Sequence, residues 1–115
     1  MKVLTICIGG MVRSAGISDV LRNDMGIDSV ALSSINNTPE TMTMMCEWAD
    51  LIVPVEPQFE HQVPNEYKSK WESCKMWDDK YKHKRKVLNL GADIWGNARH
   101  PQLRQIIKNR ITEIL

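Results

Sequence analysis

The sequence has no excess of charge of either sign and no long apolar run. Its 15 lysines and arginines nearly balance 14 aspartates and glutamates, which leaves a formal net charge of +1. A chain without a broad field of one sign has little to attract nucleic acid or a membrane surface. It shows no secretory signal and no transmembrane stretch. The composition therefore predicts a protein without nucleic-acid or membrane partners.

Cysteine and histidine are also scarce. The 3 cysteines are odd in number and have no repeated spacing, so they do not predict a disulfide framework. His61 and His83 lie far apart, without the spacing of metal ligands. We expect no metal, no cofactor and a reduced, cytoplasmic setting. With no internal repeat, residues 1–115 are expected to form a single domain, and nothing indicates an oligomeric state.

Apolar runs alternate with helix-like periodicity along the chain. Four runs predict strands, at residues 2–7, 30–32, 51–53 and 87–90. Helices are predicted at residues 14–25, after an N-cap at Thr38, as one or two irregular helices within 56–85, and from Pro101. This alternation implies an α/β fold, with a four-stranded parallel sheet and helices on both faces. Ligands bind such sheets beyond the carboxyl ends of the strands.

The most informative segment is residues 7–14 (CIGGMVRS), which joins the first predicted strand to the first helix. A strand-to-helix turn aims backbone N–H groups and a helix N-terminus at one point, where a phosphate would sit against the Cys7 sulfur. The same field favours the nucleophilic thiolate. The Arg13 fork suits two phosphate oxygens, and the Ser14 hydroxyl can donate to the sulfur. The predicted phosphate-binding residues are Ile8, Gly9, Gly10, Met11, Val12, Arg13 and Ser14.

A different interpretation of the same segment is purely structural. Unpaired cysteine is among the most often buried residue types, so Cys7 could simply end a core strand while Arg13 is solvated. The glycines inside the loop, with a strand before it and a helix after it, favour the phosphate-binding interpretation.

Three segments together resemble the low-molecular-weight protein tyrosine phosphatases, in particular their short bacterial relatives. They are the loop at 7–14, the helix-to-strand junction at 48–53 (WADLIV) and a late acidic loop at 93–96 (DIWG). The resemblance covers most of the chain and implies a sheet of order 2-1-3-4. It also implies a substrate, namely phosphotyrosine in a protein or a small aryl phosphate.

The resemblance assigns a role to each residue of the expected site. Cys7 attacks phosphorus to form a thiophosphoryl enzyme, while Arg13 and the loop amides hold the phosphate oxygens. Asp93 protonates the leaving oxygen and later deprotonates the attacking water. Ser14 helps to keep Cys7 ionised, and Trp95 flanks the aromatic ring. The implied catalytic residues are therefore Cys7, Arg13 and Asp93.

The chain departs from the family pattern at several positions. Gly10 stands where the family has an asparagine that braces the loop, and Ile94 replaces a proline after the acid. His100 precedes Pro101 where short relatives carry Asp-Pro. His100 is therefore an alternative acid to Asp93, and its ordinary role would be an N-cap or a solvated loop residue.

Two other functions stay open. Related arsenate reductases use the same loop with two further cysteines, but Cys46 and Cys74 lie on different predicted elements. Cys46 falls on an apolar helix face, where packing is its expected role. The other alternative is a phosphate-binding module with little turnover, whose loop, weakened at Gly10, captures a phosphorylated partner.

Overall fold

The computed structural model describes residues 1–8, 12–55, 63–91 and 94–115, apart from the side chain of Asp78. Strands alternate with helices in the chain, which has an α/β fold. The strands are β1 (Lys2–Cys7), β2 (Asp28–Ser33) and β3 (Leu51–Pro54). The helices are α1 (Arg13–Asp19), α2 (Pro39–Trp48), α3 (Lys68–Cys74), α4 (Met76–Asp79) and α5 (Pro101–Arg110). A π-helical turn (Val20–Asp24) follows α1, and 3-10 turns lie at Asn65–Tyr67, Lys82–Lys84 and Ile111–Glu113.

The three strands form one parallel sheet in the order β2-β1-β3. β1 lies in the centre, and its residues from Val3 to Cys7 are buried because strands flank it and helices cover both its faces. The register places Cys7 opposite Ser33 of β2, and Ile6 opposite Pro54 of β3. The carboxyl ends of all three strands therefore meet at one edge of the sheet.

The expectation of a fourth strand at residues 87–90, and with it the order 2-1-3-4, is wrong for the described residues, whose sheet has three strands. The segment does run beside β3. Its Leu88 and Leu90 amides, and the Lys86 amide just before it, donate to carbonyls of β3 and of the next residue at 2.9–3.0 Å. An isolated parallel bridge pairs Ile52 with Arg85. The next bridge in that register needs the nitrogen of Pro54 as a donor, and proline has no N–H. Pro54 therefore ends the ladder after one bridge.

Each face of the sheet carries its own core, since successive residues of β1 point to opposite faces. Val3 and Cys7 pack on the face covered by α1 and α5, here called the α1 face. Leu4 and Ile6 pack on the face covered by α2, α3 and α4, here called the α2 face. The prediction of helices on both faces is confirmed.

The helix boundaries follow local signals in the sequence. Thr38 is the predicted N-cap of α2, and its Oγ1 accepts a hydrogen bond from the Thr41 amide at 3.1 Å. The predicted helix at 14–25 is confirmed as α1 with its π-helical turn, and Gly26 ends it at a φ of +67°. Among the described helices, none combines the length and the apolar character needed to cross a bilayer.

Candidate functional site

The centre of the candidate site is the contact between Cys7 and Ser14. Cys7 is the last residue of β1, and Ser14 lies in the first turn of α1. Their side chains meet with 3.0 Å between Sγ and Oγ. Cys7 is only 2% exposed, so its thiol has little contact with water. The strand end and the helix start therefore bring a thiol and a hydroxyl together at the carboxyl edge of the sheet.

Arg13 lies beside this pair as the first residue of α1. Its side chain is buried, with 5% of the residue exposed, and Nη1 donates to the carbonyl of Gly91 at 2.8 Å. Burying a guanidinium is costly unless polar groups surround it. Arg13 is therefore not solvated, as a purely structural role for the segment would have it. Its hydrogen bond connects α1 to the segment that follows residue 90.

Ser33, at the end of β2, contacts the start of the loop. Its hydroxyl donates to the carbonyl of Ile8 and accepts the amides of Ile35 at 3.1 Å and Asn36 at 2.9 Å. One side chain thus ties the chain leaving β1 to the chain leaving β2. Ser33 was not predicted from the sequence, although serine at a strand end typically makes such local turn bonds.

A chain of buried hydroxyls lies behind Cys7 on the α1 face. Thr5 Oγ1 donates to the carbonyl of Ser14 at 2.7 Å and lies 2.8 Å from Ser18 Oγ. Ser18 Oγ lies 2.7 Å from Ser29 Oγ of β2. These residues were not predicted from the sequence either. A signal was present, because threonine is unusual in the centre of an otherwise apolar buried strand.

Of the other predicted loop residues, the structure describes Ile8 and Val12, and they pack in different places. Ile8 packs against a small apolar cluster of Ile35, Val63 and Trp71, whereas Val12 packs against the core of the α1 face. The remaining predicted site residues, Gly9, Gly10, Met11 and Asp93, lie outside the described residues.

Trp95 and His100 contact each other at the start of α5. Their ring centroids are 5.4 Å apart with an interplanar angle of 61°, and Trp95 also packs on the core of the α1 face. His100 Nδ1 accepts a hydrogen bond from the Gln102 amide at 3.2 Å, so His100 is the N-cap of α5. The ordinary role expected for His100 is therefore present in the structure.

The other two cysteines differ from Cys7 in their surroundings. Cys46 of α2 and Cys74 of α3 are both buried on the α2 face. Burial raises the pKa of the Cys46 thiol to about 11 and also raises the pKa of the Cys74 thiol. Within the described ranges, no three His, Cys, Asp or Glu side chains are grouped as metal ligands.

The chain matches no protein-family model, no curated protein and no solved structure. Its function is therefore inferred from the chemistry of the site. That site holds a cysteine at the end of the central strand, a serine hydroxyl on its sulfur and a buried arginine at the start of the next helix.

Proposed function

We propose that this protein is a cysteine-dependent phosphatase that hydrolyses phosphotyrosine or a related aryl phosphate monoester. The observation that carries the proposal is the 3.0 Å contact between Cys7 Sγ and Ser14 Oγ, beside the buried Arg13. A hydroxyl that donates to a sulfur favours the thiolate and makes it a better leaving group. A neighbouring arginine supplies the charge-assisted donors that a phosphoryl group needs.

The proposed reaction has two steps. In the first, the Cys7 thiolate attacks phosphorus, a sulfur–phosphorus bond forms, and the bond between phosphorus and the aryl oxygen breaks. The leaving oxygen takes a proton from a general acid. In the second, water loses a proton to that residue and attacks phosphorus, and inorganic phosphate leaves as the Cys7 thiolate returns. Arg13 stabilises the charge on the phosphoryl oxygens in both steps.

Asp93 is proposed as the general acid. Gly91, two residues before it in the sequence, accepts a hydrogen bond from Arg13, and this contact supports the assignment. His100 is less suited, because its Nδ1 accepts the Gln102 amide. A histidine that acts as a general acid does so as the imidazolium, in which both ring nitrogens are protonated, so His100 would lose this capping bond in that role.

The arsenate reductase alternative is disfavoured by burial. Its resolving cysteines must reach the first thiol as thiolates, whereas Cys46 and Cys74 have no exposed surface and raised pKa values. No contact in the described residues favours the binding module over the phosphatase, so that alternative becomes an outcome of the test.

The test is hydrolysis of p-nitrophenyl phosphate in the presence of a metal chelator. We expect metal-independent hydrolysis that falls by at least about 10³-fold in Cys7→Ser, because this change removes the nucleophile. Cys46→Ser is the matched control and should retain the activity of the folded fraction. Activity that survives in Cys7→Ser would refute the mechanism. Tight phosphate binding without hydrolysis would replace the proposal with the binding module.

A further inference from the structure

We propose that Thr5 is a positioning residue for Cys7. Thr5 holds the Ser14 backbone so that the Ser14 hydroxyl lies on the cysteine sulfur, and a chain of buried hydroxyls behind Thr5 orients its own hydrogen bond. The effect of Thr5 on turnover rests on the proposed function, whereas its effect on the reactivity of the Cys7 thiol does not. Thr5 and Cys7 are two residues apart on β1 and point to the same face of the sheet. Both contact Ser14, Thr5 at the carbonyl and Cys7 at the hydroxyl.

The direction of each hydrogen bond in this chain follows from counting hydrogens. Thr5 has one hydroxyl hydrogen, and it is donated to the Ser14 carbonyl at 2.7 Å. Ser18 must therefore donate to Thr5 across their 2.8 Å contact. The hydrogen of Ser18 is then used, so Ser29 donates to Ser18 at 2.7 Å. The chain runs in one direction, from Ser29 through Ser18 and Thr5 to the backbone of Ser14.

These hydroxyls lie in the protein interior rather than on its surface. Thr5, Ser14 and Ser18 have no exposed surface, and Ser29 is 4% exposed. A buried hydroxyl costs free energy unless it is hydrogen bonded, and valine would fill the place of Thr5 with the same shape. Packing alone therefore does not require threonine in the middle of β1. Its bond to Ser14 is the specific contact that valine lacks.

This contact holds Ser14 at two points. The first turn of α1 is tied to β1 by the Thr5 bond, and the Ser14 side chain is then placed 3.0 Å from Cys7 Sγ. Loss of the Thr5 bond frees the first turn of α1 to shift, and the Ser14 hydroxyl moves out of alignment with the sulfur. Because an aligned hydroxyl can stabilise charge on the sulfur as it reacts, Cys7 then reacts more slowly.

The experiment compares Thr5→Val, which keeps the shape and removes the hydroxyl, with Thr5→Ser, which keeps the hydroxyl and removes a methyl group. The rate of Cys7 alkylation by iodoacetamide is followed at pH 7 on the native protein, by mass spectrometry of the peptide that contains Cys7. We expect a decrease of about 3–10-fold in Thr5→Val, the equivalent of one lost hydrogen bond, and a change below about 2-fold in Thr5→Ser. Ile107→Val, a core change on the same face, controls for lost stability and should leave the rate unchanged.

The outcomes separate this proposal from the proposed function. A folded Thr5→Val protein that alkylates at the wild-type rate overturns the positioning role. If Thr5→Val does not fold, Ser18→Ala decides, because it removes the donor that directs the Thr5 hydrogen toward Ser14, together with the acceptor of the Ser29 hydroxyl. It should slow alkylation by about 2–5-fold, and an unchanged rate overturns the proposal. If the expected alkylation pattern is found in a protein without phosphatase activity, the proposed function fails and the positioning role stands.

Discussion

Each face of the sheet holds buried cysteine, but the surroundings of the cysteine differ between the two faces. On the α1 face, β1 presents Thr5 and Cys7, and the cysteine contacts the Ser14 hydroxyl. On the α2 face, β1 presents Leu4 and Ile6 to an apolar core that also holds Cys46. β1 therefore adds a hydroxyl and a thiol to the apolar core of the α1 face, whereas its buried residues on the α2 face are purely apolar.

Under the proposed function, the environment rather than the residue type makes Cys7 a nucleophile and Cys46 a core residue. Burial raises the pKa of the Cys46 thiol to about 11, so Cys46 stays protonated and inert near neutral pH. Cys7 is nearly as buried, with 2% exposed against 0%, but a hydroxyl lies on its sulfur and a helix begins beside it. Burial alone therefore does not separate the two cysteines.

After Cys7→Ser, the largest expected effect on the α1 face comes from Arg13→Lys. Lysine keeps the charge but loses the planar fork that donates to the Gly91 carbonyl and that, in the proposed mechanism, holds two phosphate oxygens. We expect kcat/KM for an aryl phosphate to fall by about 10²-fold. Arg22→Lys is the matched control, because Arg22 is exposed and bonds the Ser29 carbonyl at 3.3 Å. Equal activities of the two variants would contradict a phosphate-binding role for Arg13.

A smaller effect is expected from Ser33→Ala, which removes the bonds from Ser33 to Ile8, Ile35 and Asn36. Without this brace the loop is less well placed, and we expect kcat/KM to fall by about 10-fold. The neighbouring Ser34 is fully buried, and its hydroxyl has no hydrogen-bond partner among the described residues. Ser34→Ala should therefore be neutral or slightly stabilising and leave activity unchanged. If both alanine variants lose activity equally, Ser33 is not a specific brace.

On the α2 face, Cys46 should instead make the free energy of unfolding depend on pH. The pKa of Cys46 is raised from 9.0 to about 11 because burial disfavours the thiolate. The unfolded chain therefore loses this proton first, and the contribution of Cys46 to stability is complete below pH 9 and is lost as the pH rises through about 11. We expect a loss of about 1–2 kcal/mol between pH 8 and 11 by urea unfolding, relative to Cys46→Ala. Parallel stability curves for the two proteins would contradict this account.

The smallest expected effects are losses of stability from substitutions that change the packing on each face. A Cβ at Gly16 of α1 would lie 3.0 Å from the Ala98 carbonyl oxygen and 3.2 Å from Leu103 Cδ2. Gly16→Ala gains helix propensity but forces this close contact apart, so we expect a net loss of about 1 kcal/mol. On the α2 face, Met42→Leu conserves volume and should cost less. Thermal unfolding measures both, and a stabilised Gly16→Ala protein would show that α1 and α5 are loosely packed.

Most of the fold could be predicted because its signals are local. The apolar runs predicted the three strands of the sheet, and the pair Thr38 and Pro39 predicted the start of α2. The fourth strand could not be predicted correctly from its own residues. Its pairing depends on the missing N–H of Pro54, which lies on the neighbouring strand and distant in sequence.

The candidate site was predictable only where its residues are close in the chain. The spacing of Cys7, Arg13 and Ser14 predicted that these residues would lie together, because one strand-to-helix turn holds them all. Ser33 and Ser29 join the site from β2 through parallel pairing, and their contacts depend on strand register rather than on sequence spacing. Side-chain hydroxyls are common in any sequence, so only the three-dimensional contacts distinguish these from the rest.

The most direct test of the account is to trap the covalent intermediate. The protein is mixed with an aryl phosphate and quenched in acid during turnover, and its cysteine-containing peptides are analysed by mass spectrometry. The account predicts one phosphoryl group on the peptide that contains Cys7 and none on those that contain Cys46 or Cys74. Hydrolysis without any phosphoryl group on Cys7 in the quenched samples, together with full activity of Cys7→Ser, would contradict it.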